Sequence, residues 1–429
     1  MKRCNIFQKT CNETQQIEVY ICYEEGFKFN YLMNVFKRKG EYMDLSGLKY
    51  LIVGGGFFGS VLAERIANQL HEKVLVLDKR NHIGGNSYSL DDSETGIHYH
   101  LYGTHIFHTS NEKVWKYINQ FTEFNSYFHQ VLTIHKKKVF QMPINLETIN
   151  SFYNLNLKPF EVVDFLKLEI DKEHIKEPKN FEEKAISMIG RPLYEAFIKG
   201  YTLKQWQKDP REMPDSIIKR LPFRMNFNES YYNSRWQGIP LNGYGEIFEK
   251  LLSSKNIEVK LNMDYFKMCH LIPTGTKIIY SGPIDQFFNY KYGKLEYRTL
   301  RFEREIQPYE DYQGTSVMNY ADIEVPYTRI HEPRHLHPER LDYPKDKTLT
   351  IKEYSLLDDG SNPFYPINDT RNQDLILKYR DEAKKLTNVI ISGRLGEYKY
   401  FDMHETIDHA LLKFDQLKEE ALQKTELAI

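Results

Sequence analysis

The run Tyr50-Leu51-Ile52-Val53-Gly54-Gly55-Gly56-Phe57-Phe58-Gly59-Ser60 leaves the backbone few choices. Its apolar start reads as a buried strand, and Gly54, Gly56 and Gly59 fall at the spacing of a dinucleotide-binding turn. The first glycine permits a tight turn, the second admits a pyrophosphate close to the backbone, and the third lets the next helix pack on the strand. Exposed amides at that helix start favour an anion. Val61 to Leu70 continues as a helix, and Lys73-Val74-Leu75-Val76-Leu77 reads as the next buried strand, ending at Asp78. That carboxylate stands about 20 residues past the glycines, where pairing with adenosine ribose hydroxyls requires it. The same residues also suit an ordinary βαβ turn with Asp78 as a solvated strand end.

A chain of 429 residues has the length for two or three domains, and 41% hydrophobic with 27% charged residues fits a soluble globular protein. The balance of 58 Lys plus Arg against 59 Asp plus Glu, a formal charge of -1, argues against nucleic acid or an anionic membrane as partner. No secretory signal stands at the start, and the apolar run from Tyr50 ends before Glu64, short of the roughly 20 residues that span a bilayer. Cys4, Cys11, Cys22 and the isolated Cys269 make neither a disulfide framework nor a CxxC site. A reducing, cytoplasmic setting is expected. Residues 1–47 have no clear place in the dinucleotide unit: Ile17 to Ile21 fits an added strand, Lys37-Arg38-Lys39-Gly40 a solvated connection, and Met43 an alternative start.

Tyr102-Gly103-Thr104-His105-Ile106-Phe107-His108 places two histidines three apart, without the further ligands at metal-site spacing that a zinc centre requires, so no metal is expected. One histidine beside a cofactor and two hydrogen-bonded loop histidines are both consistent readings. Pro178 to Trp206 turns helical, with Phe181, Ala185, Ile189, Leu193, Ala196, Phe197 and Leu203 on apolar faces and Gly190 and Pro192 dividing it. Lys219, Arg220 and Arg224, followed by Tyr231-Tyr232-Asn233-Ser234-Arg235-Trp236, offer cations among aromatics, suited to a small phosphorylated ligand. Strands return at Ile257 to Leu261, Lys277 to Tyr280, Tyr297 to Phe302 and Asn388 to Ser392, and Met403 to Leu422 has helical periodicity.

From Lys49 to Leu422 the chain resembles the bacterial UDP-galactopyranose mutases. The ordered landmarks are Arg80-Asn81-His82-Ile83-Gly84-Gly85-Asn86, Gly103 to Thr109, Lys199 to Trp206, Gly282 to Gln286, Leu295 to Arg298, Val325 to Arg329, and Gly393-Arg394 through Asp402. The resemblance implies an FAD-dependent isomerase of nucleotide-sugar and cell-surface polysaccharide biosynthesis. Such an enzyme interconverts UDP-galactopyranose and UDP-galactofuranose through a reduced-flavin N5-sugar adduct, supplied by a cellular flavin reductant, and is a homodimer. It assigns Arg220 and Arg298 to the diphosphate, His105 to the flavin side, and Asp402 to orienting hydroxyls near sugar and flavin. It gives substrate contacts to Phe197, Tyr201, Thr202, Trp206, Tyr231, Tyr327 and Tyr400. Cofactor contacts go to Gly54, Gly56, Phe58, Gly59, Asp78, Lys79, Asn86, His105 and Arg394.

The implied fold is α/β, a Rossmann-like FAD-binding domain with a helical insertion and an antiparallel-sheet substrate domain. Residues 1–47 stand as an N-terminal extension, 48–130 as the first part of the FAD-binding domain, and 131–240 as a mixed substrate region carrying the insertion. Residues 241–285 return to the FAD domain, 286–385 form a sheet-rich substrate region, and 386–429 close the FAD domain. Two positions depart from the family pattern: Thr104 replaces the usual alanine, and His129 stands where asparagine occurs near substrate. An FAD-dependent amine oxidase and a nucleotide-sugar binding module are the competing functions.

Overall fold

The structure, a computed structural model, describes residues 6–10, 17–21, 35–38, 41–220 and 223–426, without the side chains of 6–10, 17–21, 35–38, 41–44, 216, 219, 220 and 424–426. In the N-terminal extension Ile6–Thr10 pairs antiparallel with Ile17–Ile21, and Val35–Arg38 with Glu41–Asp44, each pair a small sheet of its own. Lys37 and Arg38, expected in a connection, therefore end a strand, and Met43 lies inside one.

The dinucleotide unit is built on a parallel sheet of five strands. Their spatial order is Ile257–Lys260, Val74–Leu77, Tyr50–Val53, Lys277–Tyr280 and Val389–Ile391. Val74 to Leu77 are all buried, which explains why that strand reads as an unbroken apolar run rather than an alternating one. The helix Phe57–Arg65 lies against this sheet with Phe57 through Glu64 buried, and the C-terminal helix Met403–Glu426 covers it. Val61, Leu62 and Ile66 share a core with Ile407, Leu411 and Phe414. Each such side chain contributes about 1.5–3 kcal/mol by leaving water. The sheet thus draws strands from the start, middle and end of the chain, because one helix needs the last one as a lid.

A seven-stranded sheet forms the second layer, ordered Lys138–Met142, Val131–His135, Val317–Tyr320, Arg329–His331, Thr348–Leu357, Tyr297–Gln307 and Tyr365–Pro366. All its pairings are antiparallel except Val131–His135 with Val317–Tyr320. Tyr297 begins an eleven-residue strand, longer than the expected stretch to Phe302 because Thr348–Leu357 pairs with it along ten positions.

The helical insertion has the expected break: Gly190 adopts φ +78, ending the helix Phe181–Ile189 before the chain turns through Tyr194–Lys199 into Gly200–Trp206. Lys204 fastens this insertion to the large sheet, its ammonium donating to the carbonyls of Tyr320, Asp322, Val325 and Tyr327 at 2.7–3.0 Å. Among the described residues no helix is long and apolar enough to cross a membrane.

Candidate active site

At the carboxyl ends of the parallel strands lies a cavity of about 410 Å³, floored by the glycine turn and roofed by the second sheet. Gly54 adopts φ +108, and its N–H donates to the Leu77 carbonyl at 2.8 Å, locking the turn to the neighbouring strand. Asp78 is buried, with one carboxylate oxygen accepting from Gly55 N–H and the other from Arg80 N–H, both at 2.9 Å. Its first task is to hold the glycine turn, and it still borders the cavity. Gly56, Phe58, Gly59, Lys79, Asn86 and Arg394 border the same space. Arg80 closes one side, donating to Asn86 and Asn362 at 2.9 and 3.0 Å while lying 4.3 Å from the centre of the Tyr102 ring.

A dinucleotide cofactor fits this cradle. A Cβ on Gly85, itself at φ +58, would come within 3.1 Å of Gly56 Cα, so the turn and the second glycine loop pack backbone against backbone beside the space for a pyrophosphate. Arg394 borders the cavity with no ion-pair partner among the described residues, and desolvation pulls its guanidinium below the usual arginine value. A buried cation of that kind is stabilised by an incoming anion.

His105 is half-buried at the cavity wall, and desolvation lowers it to about 4 despite the 2.5 Å bond to the Gly103 carbonyl. It is therefore neutral near pH 7. Its Nδ1–H donates to that carbonyl, and the Nε2 lone pair remains as an acceptor. His108 stacks on Tyr232 with centroids 3.7 Å apart and is likewise held at about 4, chiefly by burial. Asp402, half-exposed, stands 3.9 Å from His108 Nε2, and Tyr400 stacks on Tyr365 at the same rim.

Across the cavity runs a buried chain of polar groups. Thr104 Oγ1 and His331 Nδ1 are 2.7 Å apart, His331 Nε2 lies 3.0 Å from Glu353, and Glu353 pairs with Arg329 at 3.3 Å. Arg329 in turn donates to the Tyr201 hydroxyl. Desolvation keeps His331 neutral, so its Nε2–H donates to the carboxylate and its Nδ1 accepts the Thr104 proton. Burial alone would push Glu353 up, but Arg329 and the His331 bond outweigh it and hold the carboxyl at about 2, below the usual 4.5.

That depression has a pH signature. The pair's stabilisation is complete above the unfolded value of 4.5 and fades as pH falls toward 2. Glu353→Gln is expected to cost about 3–5 kcal/mol at neutral pH, the usual result of leaving a buried partner unpaired. Thermal unfolding should show the gap to the parent chain narrowing below pH 4.5. A gap constant from neutrality into that acid range would count against the pairing.

Tyr201 borders a second, apolar pocket of about 70 Å³ with Phe197, Thr202 and Tyr231, so these four expected substrate residues come together. Arg298 and Trp206 do not join them. They border a separate groove of about 210 Å³, where Arg298 donates to Gln205 O and Gln207 Oε1 at 3.1 Å and to Ser355 Oγ at 3.2 Å. Three of the five N–H donors of Arg298 are thus bound within the protein, outside the glycine cavity, and Trp206 borders the same groove rather than the pocket of Tyr201. Tyr327 also falls outside these spaces, packed on Tyr320 and Tyr354. The side chain of Arg220 lies outside the described residues. His129 is buried 3.1 Å from the Tyr127 hydroxyl and does not border the cavity. Sequence reasoning gave no individual role to Arg80, Arg329, His331, Glu353 or Tyr365, and placed Tyr232 only within an aromatic run. The Val325 to Arg329 landmark was the available signal for Arg329.

A Rossmann-like sheet ending in a glycine cradle, with Arg329 of a second sheet bordering the same cavity, defines a dinucleotide-binding protein with room for a further anionic ligand. Residues 52–121 match the NAD(P)-binding Rossmann-like domain, and residues 196–400 match the UDP-galactopyranose mutase profile. A probable UDP-galactopyranose mutase of Klebsiella pneumoniae is 41% identical over 384 residues, 88% of this chain and 97% of the relative. A dTDP-fucopyranose mutase of Escherichia coli is 39% identical over 369 residues, 85% of this chain and 96% of the relative. The solved structure of reduced UDP-galactopyranose mutase superposes with a TM-score of 0.69 at 14% identity, covering 87% of this chain and 94% of that one, a likeness of fold. The chain belongs to the UDP-galactopyranose mutase family.

Proposed function

We propose that this protein interconverts UDP-galactopyranose and UDP-galactofuranose, using reduced FAD held in the glycine cavity. The observation that carries the reading is the 41% identity to the Klebsiella pneumoniae relative over 97% of its length. The polar chain from the cavity through Arg329 to Tyr201 and the apolar pocket supports it. When bound and reduced, the flavin supplies a nucleophilic nitrogen, N5, for the anomeric carbon.

The protein's own residues divide the remaining work. Gly54, Gly56 and Gly59 let the cofactor backbone approach, and Arg394 meets its charge. Lys79, Asn86 and Phe58 complete that wall. Neutral His105 offers a ring nitrogen at the flavin side. Arg329, held by Glu353, stabilises the departing nucleoside diphosphate where negative charge develops. Tyr201, Phe197, Thr202 and Tyr231 receive the uridine end, while Tyr400, Tyr365 and Asp402 border the sugar space and orient its hydroxyls. Ring exchange leaves the substrate's oxidation state unchanged, which separates this reading from an amine oxidase.

A second reading rests on the 39% identity to the dTDP-fucopyranose mutase: the same ring exchange on a deoxythymidine-linked 6-deoxy sugar. Purified protein should carry an FAD absorption spectrum and, after anaerobic reduction, convert UDP-galactofuranose to UDP-galactopyranose. Faster conversion of dTDP-fucofuranose would favour the second reading. Absence of flavin and of both conversions in folded protein would defeat the proposal.

A further inference from the structure

Beside the cavity, His108, Asp402 and His404 each present one ligand atom within 4.8 Å of the other two. His108 Nδ1 lies 3.0 Å from Ser234 Oγ, which can accept the Nδ1 proton when a metal takes Nε2, and Nε2 lies 3.9 Å from Asp402. The Tyr232 ring, stacked at 3.7 Å and 12°, fixes that orientation. His404 packs edge-on to His108 with centroids 4.9 Å apart, and its buried Nδ1 has no hydrogen-bond partner. The Asp402 carboxylate receives no hydrogen bond from a described residue, while its own N–H is tied to Glu405.

Three ligand atoms this close together, in a cluster where one imidazole nitrogen is buried without a partner, suit a cation. Two imidazoles and one carboxylate suit a first-row transition metal with open coordination positions, rather than magnesium or calcium, which take oxygen ligands. An outer depression borders His404 and is lined as well by the carboxylates of Glu405 and Asp408. The only other such cluster among the described residues, Asp311, Glu332 and His335, is already satisfied: Glu332 accepts from Tyr312 and Gln313 N–H, and Asp311 from Gly314 N–H.

We propose that His108, Asp402 and His404 form an inhibitory site for a divalent transition metal such as zinc. A bound ion ties up Asp402 and His108 at the sugar side of the cavity. Metal binding stands on this geometry alone, whereas inhibition also rests on the mutase function proposed above, and the test separates the two. Zinc chloride titrated calorimetrically into the FAD-loaded protein should bind at this site. His404→Asn should weaken that binding by more than about a hundredfold, and Ser234→Ala by about tenfold, the usual cost of an outer-shell partner. His404→Asn should fold, judged by circular dichroism, and keep its metal-free turnover. In the parent chain zinc should suppress turnover at least about tenfold at saturation, reversibly on adding a chelator, and this suppression should vanish in His404→Asn. Absent binding, or binding equal in parent and His404→Asn, overturns the site. Binding that depends on His404 but leaves turnover intact overturns the inhibitory role.

Discussion

Arg329→Ala should lower turnover of reduced enzyme on UDP-galactofuranose by about 10²–10³-fold, the usual loss when one preorganised donor is removed from developing charge. FAD should stay bound, because the glycine turn and Arg394 that receive it lie apart from Arg329. The same variant should lose about 3–5 kcal/mol of stability, since Glu353 would keep its burial without its cation. These two losses can be separated. In Arg329→Ala/Glu353→Gln no buried carboxylate is left unpaired, so thermal stability should partly recover while turnover stays low. Turnover of Arg329→Ala within about threefold of the parent would sink the assigned role. Arg298→Ala makes the contrast. Three of its five N–H donors bind Gln205, Gln207 and Ser355 outside the cavity, so its loss should appear mainly as a lower unfolding temperature.

The difference between these two arginines shows what a sequence can carry. The glycine turn was legible because all its constraints lie within a few adjacent residues, and the strand ending at Asp78 follows from a local apolar run. The C-terminal helix was legible from its period. The polar chain was not, because its members meet only through sheet pairing: Arg329 lies opposite Glu353 in the register of two antiparallel strands, and Thr104 meets His331 across 227 positions. Nothing local says that Arg298 turns toward the Trp206 groove while Arg329 turns toward the cavity. The grouping of His108, Asp402 and His404 is illegible for the same reason. His105 and His108 were weighed together as neighbours, whereas the structure joins His108 to Asp402 and His404 and leaves His105 facing elsewhere. Thr104, by contrast, was noticed as a departure from the family pattern, and its partner His331 supplies the physical reason a hydroxyl is accommodated there.

Gly59→Ala should abolish cofactor retention and lower the unfolding temperature by many degrees. A Cβ at this position would overlap the Gly54 carbonyl oxygen and come within 2.9 Å of Ile52 Cγ2, and the backbone atom cannot yield as a flexible side chain would. Relief requires the helix Phe57–Arg65 to move off the sheet, yet its residues from Phe57 to Glu64 are buried under the C-terminal helix. Overpacking of this sort costs about 1–3 kcal/mol even where side chains can adjust, and a clash with backbone costs more. The same movement displaces the amides that would face the pyrophosphate, so flavin and fold should be lost together. Gly245→Ala is the matched control. It lies within the helix Gly243–Leu251, and an added Cβ there meets nothing within 4 Å. Helix propensity alone then predicts a gain of about 0.8–1 kcal/mol. Flavin content read at its visible absorption band, with thermal unfolding of both variants, decides the matter: a yellow, stable Gly59→Ala protein would show that close helix–strand contact is not what the third glycine provides.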